Sequence, residues 1–82
     1  MKLKLRGKLY NTNKKEIEKK LSKIEPEFDS KNKYFVIINN KSYPIKQVVC
    51  KAFNLSKPEI TTMEAYHVIK KLGFKIIDKS GG

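Results

Sequence analysis

The sequence predicts a small α+β domain in which a small antiparallel sheet packs against three helices, in the order ββ-α-ββ-α-α-β. Two observations support this prediction. Apolar and polar residues alternate near the N-terminus, and β-branched and aromatic residues fill 34–38, as in strands. In three other segments the apolar residues recur every three or four positions, as on one face of a helix. We divide the 82 residues into one compact domain over 1–78 and a flexible tail over 79–82.

The first predicted elements are a short hairpin and a helix. Leucines alternate with basic residues over 2–10, and Gly7 divides this run into two strands. Asn13 stands three residues before Glu16, which resembles a capping box at the start of a helix. Three apolar residues follow at helical spacing: Ile17, Leu21 and Ile24. We therefore predict a helix over 13–25, because the next residue is a proline and the residue before a proline avoids the helical conformation.

A second hairpin is predicted in the middle of the chain. The polar and locally acidic segment 26–32 is a loop, and 34–38 is a strand. The Asn-Asn pair at 39–40 suits the turn, since asparagine tolerates positive φ. The second strand contains Tyr43 and ends at Pro44, which also suits the first turn of a helix.

The last part of the chain is predicted to contain two helices and a strand. Their predicted bounds are 45–54, 62–72 and 74–77. Thr61 and Glu64 have the spacing of a capping box, and Gly73 is well placed to end the helix that they open. The predicted core consists of Leu21, Ile24, Phe35, Ile37, Val49, Phe53, Val68, Ile69 and Leu72.

Positive charge is the most informative feature of the composition. Nineteen Lys and Arg residues oppose eight Asp and Glu residues, which gives a net charge of +11 and a pI near 9.8. Such a pI is typical of nucleic-acid-binding domains. Arg6 is the only arginine, and because lysine acts as a point charge, phosphate binding is favoured over base readout. The alternative explanation is that AT-rich genomes encode many lysines on the solvated surfaces of their proteins.

Other features argue against catalysis and against a metal or membrane role. Cys50 is the only cysteine, which excludes an internal disulfide and a cysteine-based zinc site, and we expect it to be buried and inert. His67 is the only histidine, and the acidic residues are too scattered to complete a catalytic set. No apolar run approaches the roughly 20 residues of a membrane span, and no signal peptide opens the chain. We predict a cytoplasmic protein that is not an enzyme and uses no cofactor.

Candidate phosphate-binding residues lie at predicted helix starts and on one helix face. Lys46 lies in a first turn, where free backbone N–H groups favour anions; the alternative is that its stem packs on Tyr43. His67, Lys70 and Lys71 share a face at i, i+3 and i+4. The full set of predicted nucleic-acid-binding residues is Lys41, Tyr43, Lys46, Gln47, Lys51, Thr61, Thr62, His67, Lys70 and Lys71.

Within this set, the first choices for phosphate contacts are Lys46, His67, Lys70 and Lys71, and the second choices are Lys41 and Lys51. Thr61 and Thr62 either bind phosphate or only cap their helix. The lysines of the first helix are interpreted as a solvated face: Lys14, Lys15, Lys19, Lys20 and Lys23. Tyr66 and Met63 are interpreted as packing groups rather than stacking platforms.

Three short motifs carry a resemblance to a known family. NKSYPIKQV at 40–48, ITT at 60–62 and LGF at 72–74 resemble a small bacterial domain with the pattern GKxYPxKQV, a helix, FT(S/T), a second helix and LGF. That domain occurs alone in short bacterial proteins and at the N-terminus of longer proteins that resemble HNH-type and methylation-dependent restriction endonucleases. The chain departs from the pattern at Asn40, where glycine is usual, and at Ile60, where phenylalanine is usual.

The resemblance covers residues 34–77 and implies an accessory, DNA-associated role, because the nuclease motifs of the longer proteins are absent here. The leading hypothesis is a DNA-binding module, alone or as partner of a restriction or mobile-element nuclease. The first alternative is a protein-interaction module such as a phage-encoded inhibitor (an anti-CRISPR) of a nucleic-acid-guided defence complex. Gly81 and Gly82 also resemble the end of a ubiquitin-like sulfur carrier, although the predicted helix over 62–72 lies where that fold needs strands.

Overall fold

Over residues 2–27 and 33–78, which the computed structural model describes, the chain folds into two hairpins, three α-helices and a final strand. The elements are β1 (Lys2–Leu5), β2 (Lys8–Asn11), α1 (Lys14–Leu21), β3 (Tyr34–Ile38), β4 (Lys41–Pro44), α2 (Ile45–Phe53), a 3-10 helix (Lys57–Glu59), α3 (Thr62–Leu72) and β5 (Ile76–Asp78). The predicted α+β class and order of elements are confirmed. The predicted tail over 79–82, with its two glycines, lies outside the described residues, as do residues 28–32 of the predicted loop.

The strands form two antiparallel sheets, whereas the sequence predicts one. β1 pairs with β2, and β3 lies between β4 and β5 in a three-stranded sheet. Both hairpins turn through two residues with positive φ: Arg6 and Gly7 (52° and 82°), and Asn39 and Asn40 (53° and 64°). Positive φ at both central residues marks a type I′ turn, whose twist matches that of the paired strands. The predicted Asn-Asn turn is therefore confirmed.

Helix α2 is the centre of the core. Seven of its nine residues are buried, and it packs against both α1 and α3. Six of the predicted core residues are buried: Leu21, Val49, Phe53, Val68, Ile69 and Leu72. Ile24 is only partly buried and packs against the edge of the core.

The core residues predicted on β3 are wrong by one position. Val36 and Ile38 are the buried residues of this strand, whereas Ile37 is 49% exposed and Phe35 is half-buried. Successive side chains of a strand point to opposite faces. Because all five residues of β3 are apolar or aromatic, no polar residue in the strand marks the outer face.

Helix α1 ends at Leu21, earlier than the predicted end at residue 25. Tyr43 is fully buried, and its hydroxyl lies 3.0 Å from the carbonyl oxygen of Leu21 and 2.6 Å from that of Ile24, so that its single proton is shared between these two acceptors. The last carbonyl groups of a helix need partners from outside it, and a side chain from β4 supplies one here. β5 likewise begins at Ile76 rather than at the predicted residue 74.

Helix α3 begins with the predicted capping box. The side chain of Thr61 accepts a hydrogen bond from the backbone N–H of Glu64 (3.1 Å), and the Glu64 carboxylate accepts one from the backbone N–H of Thr61 (2.9 Å). Arg6 donates to the same carboxylate at 3.0 Å and so connects the first hairpin to this helix. The bond from Thr61 is the main cause of the lowered pKa of Glu64; partial desolvation opposes it and the charge of Arg6 adds to it.

We expect Glu64→Gln to destabilise the protein at neutral pH but not in acid. A carboxyl group whose pKa is lowered by folding stabilises the folded state above its unfolded pKa, and this stabilisation is lost as the pH falls through the folded pKa. The difference in free energy of unfolding between wild type and variant should therefore begin to shrink below pH 4.5, the ordinary carboxyl pKa, and disappear as the pH falls through the lowered pKa of the folded state. Urea denaturation at neutral pH and at about pH 3 measures it. Glu18→Gln is the control for the loss of a carboxylate. If the difference in free energy of unfolding between wild type and Glu64→Gln is the same in acid as at neutral pH, the prediction is wrong.

Candidate nucleic-acid interface

Most of the positive charge on the described surface is not neutralised by ion pairs. Within residues 2–27 and 33–78, the basic residues that form an ion pair are Arg6, with Glu64, and Lys41, with Glu25 at 3.2 Å. The two pairs lie on the surface, where such pairs contribute little stability. Apart from Lys20, which donates to the carbonyl oxygen of Ala52, the remaining lysine side chains that the structure describes are therefore available to an anionic partner.

One group of these lysines surrounds aromatic rings at the C-terminal half of α3. The ring of Tyr66 makes an edge contact with Tyr34 of β3, with ring centres 5.3 Å apart and planes at 74°. The ammonium group of Lys70, one turn further along α3, lies 5.7 Å from the centre of the Tyr66 ring. The imidazole of His67 lies 6.2 Å from the same ring. Two of the predicted residues, His67 and Lys70, are therefore brought together by Tyr66.

A surface pocket of about 220 Å³ opens beside this ring. Its lining consists of Tyr66, Lys70, Phe74, Lys75 and Ile76. Lys14 approaches the Phe74 ring from the start of α1, with its ammonium nitrogen 5.2 Å from the ring centre. We call the lining residues, together with the residues that contact the rings of the lining, the Tyr66 patch: Lys14, Tyr34, Tyr66, His67, Lys70, Phe74, Lys75 and Ile76.

The Tyr66 patch combines cations with aromatic surface. Lys70 and Lys75 are exposed, Tyr66 is half-buried and Phe74 is 6% exposed. Asp78 stands opposite Tyr34 in the β3–β5 ladder, at the edge of the patch. The arrangement suits a ligand with negative charge for the ammonium groups and a flat face for the rings.

Comparison with known proteins gives a family for the chain. A family model described as SCO5918-like matches residues 8–81. The chain belongs to the SCO5918-like family. The match extends from β2 to beyond β5 and includes the whole Tyr66 patch, but the family description names no ligand or activity. No similar chain was found among curated proteins or among solved structures.

In this SCO5918-like protein, two predicted binding residues are structural. Tyr43 is 0% exposed and Gln47 is 3% exposed. Gln47 donates from its amide nitrogen to the carbonyl of Glu25 and accepts at its amide oxygen from the N–H of Glu27, both at 2.8 Å. Because the polar atoms of both side chains face the segment after α1, neither residue can contact a ligand on the surface. This corrects the sequence-based prediction for them.

The predicted lysines of β4 and α2 do not join the Tyr66 patch through any contact in the described structure. Lys41 lies on an edge strand and pairs with Glu25. Lys46 is half-buried in the first turn of α2, and Lys51 is exposed in its last turn. At 100° per residue, five positions separate these two side chains by about 140° around the helix, so they lie on different flanks.

The predicted residues of α3 are divided between its two ends and two flanks. Thr61 caps the helix through its hydroxyl, and Thr62 follows it at the N-terminus. Lys71 is nine positions beyond Thr62, or about 13 Å along the axis. On the helical wheel Lys71 lies near Glu64, whereas Lys70 lies near Tyr66. Of the predicted binding residues on α3, His67 and Lys70 are the ones that belong to the Tyr66 patch.

Two lysines of α1 that the sequence assigns to a solvated face have partners. Lys20 donates to the carbonyl oxygen of Ala52 at 2.8 Å, next to the C-terminus of α2. Lys14 contacts Phe74. Both side chains are exposed, as a solvated face predicts, but each also has a partner within the protein. The exposed Lys15 and Lys19 have no such contact in the described structure.

Sequence reasoning interpreted Tyr66 as a packing group. It also left out of the candidate set the other residues of the patch: Lys14, Tyr34, Phe74, Lys75 and Ile76. One local signal was present: Tyr66 and Lys70 have the i, i+4 spacing at which side chains meet on a helix. The other contacts join α1, β3, α3 and the segment before β5, and no local pattern indicates them. Long-range packing determines this part of the patch.

Two further findings bear on the predicted chemistry. Cys50 is buried, as predicted, and its thiol is not in a disulfide. Among the residues that the structure describes, no group of three or more His, Cys, Asp or Glu side chains could hold a metal ion. In the same ranges, no helix has both the length and the apolar character needed to cross a membrane.

Proposed function

We propose that this protein is a cytoplasmic nucleic-acid-binding module, for DNA in particular, and that it contacts its ligand through the Tyr66 patch. One observation supports this most strongly. Lys14, Lys70 and Lys75 surround aromatic rings, and none of the three forms an ion pair with a described carboxylate. A cluster of unpaired cations beside aromatic rings favours phosphate and base contacts at the same place.

The charge of the whole chain supports the same proposal. A net charge of +11 on 82 residues attracts a polyanion over a distance and raises the rate of association. Because almost all of this charge comes from lysine, the expected contacts are with phosphate oxygens rather than bidentate contacts with guanine. We therefore propose binding that depends weakly on sequence.

The proposed role in the cell is that of an accessory module of a restriction or mobile-element system. This part of the proposal depends on the resemblance of the motif at 40–48 to the small bacterial domain described above. Binding without catalysis is the corresponding activity, because the sequence offers no nucleophile with an adjacent base.

A binding titration tests the proposal. Fluorescence anisotropy of labelled duplex DNA, single-stranded DNA and RNA of equal length would be measured with the full chain at several salt concentrations between about 50 and 200 mM. We expect binding to DNA, with log K falling linearly against log salt, because lysine contacts release counterions from the phosphates. Absence of binding to all three ligands at the lowest salt concentration would overturn the proposal.

A further inference from the structure

We infer that the pocket beside Tyr66 holds an unpaired base, and that the ligand is therefore a single-stranded stretch of DNA. The inference rests on the proposed function and specifies its ligand. Its starting point is the lining: Tyr66 and Phe74 supply aromatic surface, Ile76 supplies aliphatic surface, and Lys70 and Lys75 supply charge. A nucleotide has both a flat base and a phosphate, which match these two kinds of surface.

The size of the pocket fits one ring system better than a large ligand. Its volume is about 220 Å³, which is below the roughly 300–1,000 Å³ of sites for drug-sized ligands. A base fills such a space while the sugar and phosphate stay at its mouth. The exposed Lys70 and Lys75 are at that mouth and can reach the phosphate.

The Tyr66 ring is held in position before the ligand arrives. The edge contact with Tyr34, at 5.3 Å and 74°, restricts rotation of the ring from the side of β3. Lys70 lies over the ring at 5.7 Å and can be displaced by a base, since its side chain is exposed and flexible. A ring that is already oriented loses less conformational entropy when a base stacks on it.

Duplex DNA does not offer such a base. Within a duplex each base face is covered by the neighbouring pair, and only the edges are open in the grooves. Stacking on a protein side chain therefore requires a single strand or a base that has left the stack. Stacking also tolerates every base, which agrees with the weak sequence dependence proposed above.

The test compares two strands that differ only in their bases. Thymidine and abasic oligonucleotides, each of about 12 nucleotides, carry the same phosphates. We expect wild type to bind the thymidine strand about tenfold more tightly, since stacking on one aromatic residue accounts for that order of affinity. Tyr66→Leu should lose this preference and keep its affinity for the abasic strand, whereas Tyr66→Phe should retain the preference because the ring remains.

Tyr10→Leu is the matched control variant. Tyr10 is also half-buried and contacts an aromatic ring, that of Phe53 at 4.8 Å, but it lies on β2, outside the Tyr66 patch. It should keep the preference for the thymidine strand. If wild type binds both strands equally, the inference is wrong while the proposed function stands. If wild type binds neither strand nor duplex DNA, the proposed function fails. If Tyr66→Leu does not fold, the comparison of the two strands on wild type still tests whether an unpaired base contributes to binding.

Discussion

Gln47→Leu is expected to lower the free energy of unfolding by about 3 kcal/mol, although leucine fits a buried helix position well. The amide of Gln47 makes two 2.8 Å hydrogen bonds, to the carbonyl of Glu25 and from the N–H of Glu27. Leucine keeps the apolar volume but leaves both of these backbone groups without their partner. Each polar group that loses its partner on burial costs about 1–3 kcal/mol. Since small domains are stable by only about 5–15 kcal/mol, the effect is large.

Urea denaturation followed by circular dichroism measures this effect. Tyr43→Phe should cost less, about 1–2 kcal/mol, because it removes one hydroxyl that serves the carbonyls of Leu21 and Ile24. Lys51→Leu is the control: it introduces the same residue at an exposed position of α2 and should change stability by no more than about 0.5 kcal/mol. Equal stability of Gln47→Leu and the control would show that the segment after α1 is not held by Gln47.

The same variants separate stability from binding. Under conditions where Gln47→Leu and Tyr43→Phe remain folded, both should bind nucleic acid with wild-type affinity, because the two side chains are buried. In the motif that resembles the restriction-associated domain, Tyr43 and Gln47 would then be needed for folding rather than for ligand contacts. If either variant binds nucleic acid more weakly than wild type while it is still folded, its residue belongs to the binding site after all.

The sequence predicted the parts of the fold that depend on neighbours in the chain. Asn39 and Asn40 turn the second hairpin, Thr61 caps α3, and Gly73 ends it with φ of 97°. In each case the side chain or the backbone freedom of one residue acts within four positions of itself. Asn13 likewise caps α1 by accepting from the N–H of Glu16.

The parts that failed depend on contacts between distant segments. The end of α1 was misplaced because Tyr43, more than twenty positions from Leu21, supplies the hydrogen bond there. The inner face of β3 was misplaced because an all-apolar strand contains no pattern that distinguishes its faces. The 3-10 helix Lys57–Glu59 was also missed, since no element was predicted between the helices over 45–54 and 62–72.

The candidate site divides in the same way. His67 and Lys70 were predicted because a helical face can be inferred from spacing alone. Lys14 and Tyr34 could not be predicted, since α1 and β3 approach α3 only in the folded chain. The predicted set also mixed surface lysines with buried residues, because a motif that is rich in polar residues does not show which of its side chains point inward.

The second large expected effect is on binding. Replacing Lys70 and Lys75 together with glutamine is expected to weaken DNA binding roughly tenfold at about 50 mM salt and to reduce its salt dependence. Both lysines are exposed and line the pocket beside Tyr66. Each lost phosphate contact lowers the slope of log K against log salt by about 0.9 on duplex DNA and about 0.7 on a single strand. The double variant should therefore lose about 1.8 and about 1.4, respectively, in anisotropy titrations over a range of salt concentrations.

Lys15→Gln with Lys19→Gln is the matched control, because it removes the same charge from exposed positions of α1. A general attraction between a basic protein and DNA would make the two double variants equally weak, whereas a localised site makes the Lys70 and Lys75 variant much the weaker. If the α1 pair proves the more damaging at equal stability, the ligand lies on the face of α1. If neither pair changes the affinity for any nucleic acid, the basic surface serves another partner. The hypothesis of a protein-interaction module, such as an inhibitor of a nucleic-acid-guided defence complex, then becomes the leading one, because such a module needs positive charge complementary to a protein surface rather than to phosphates.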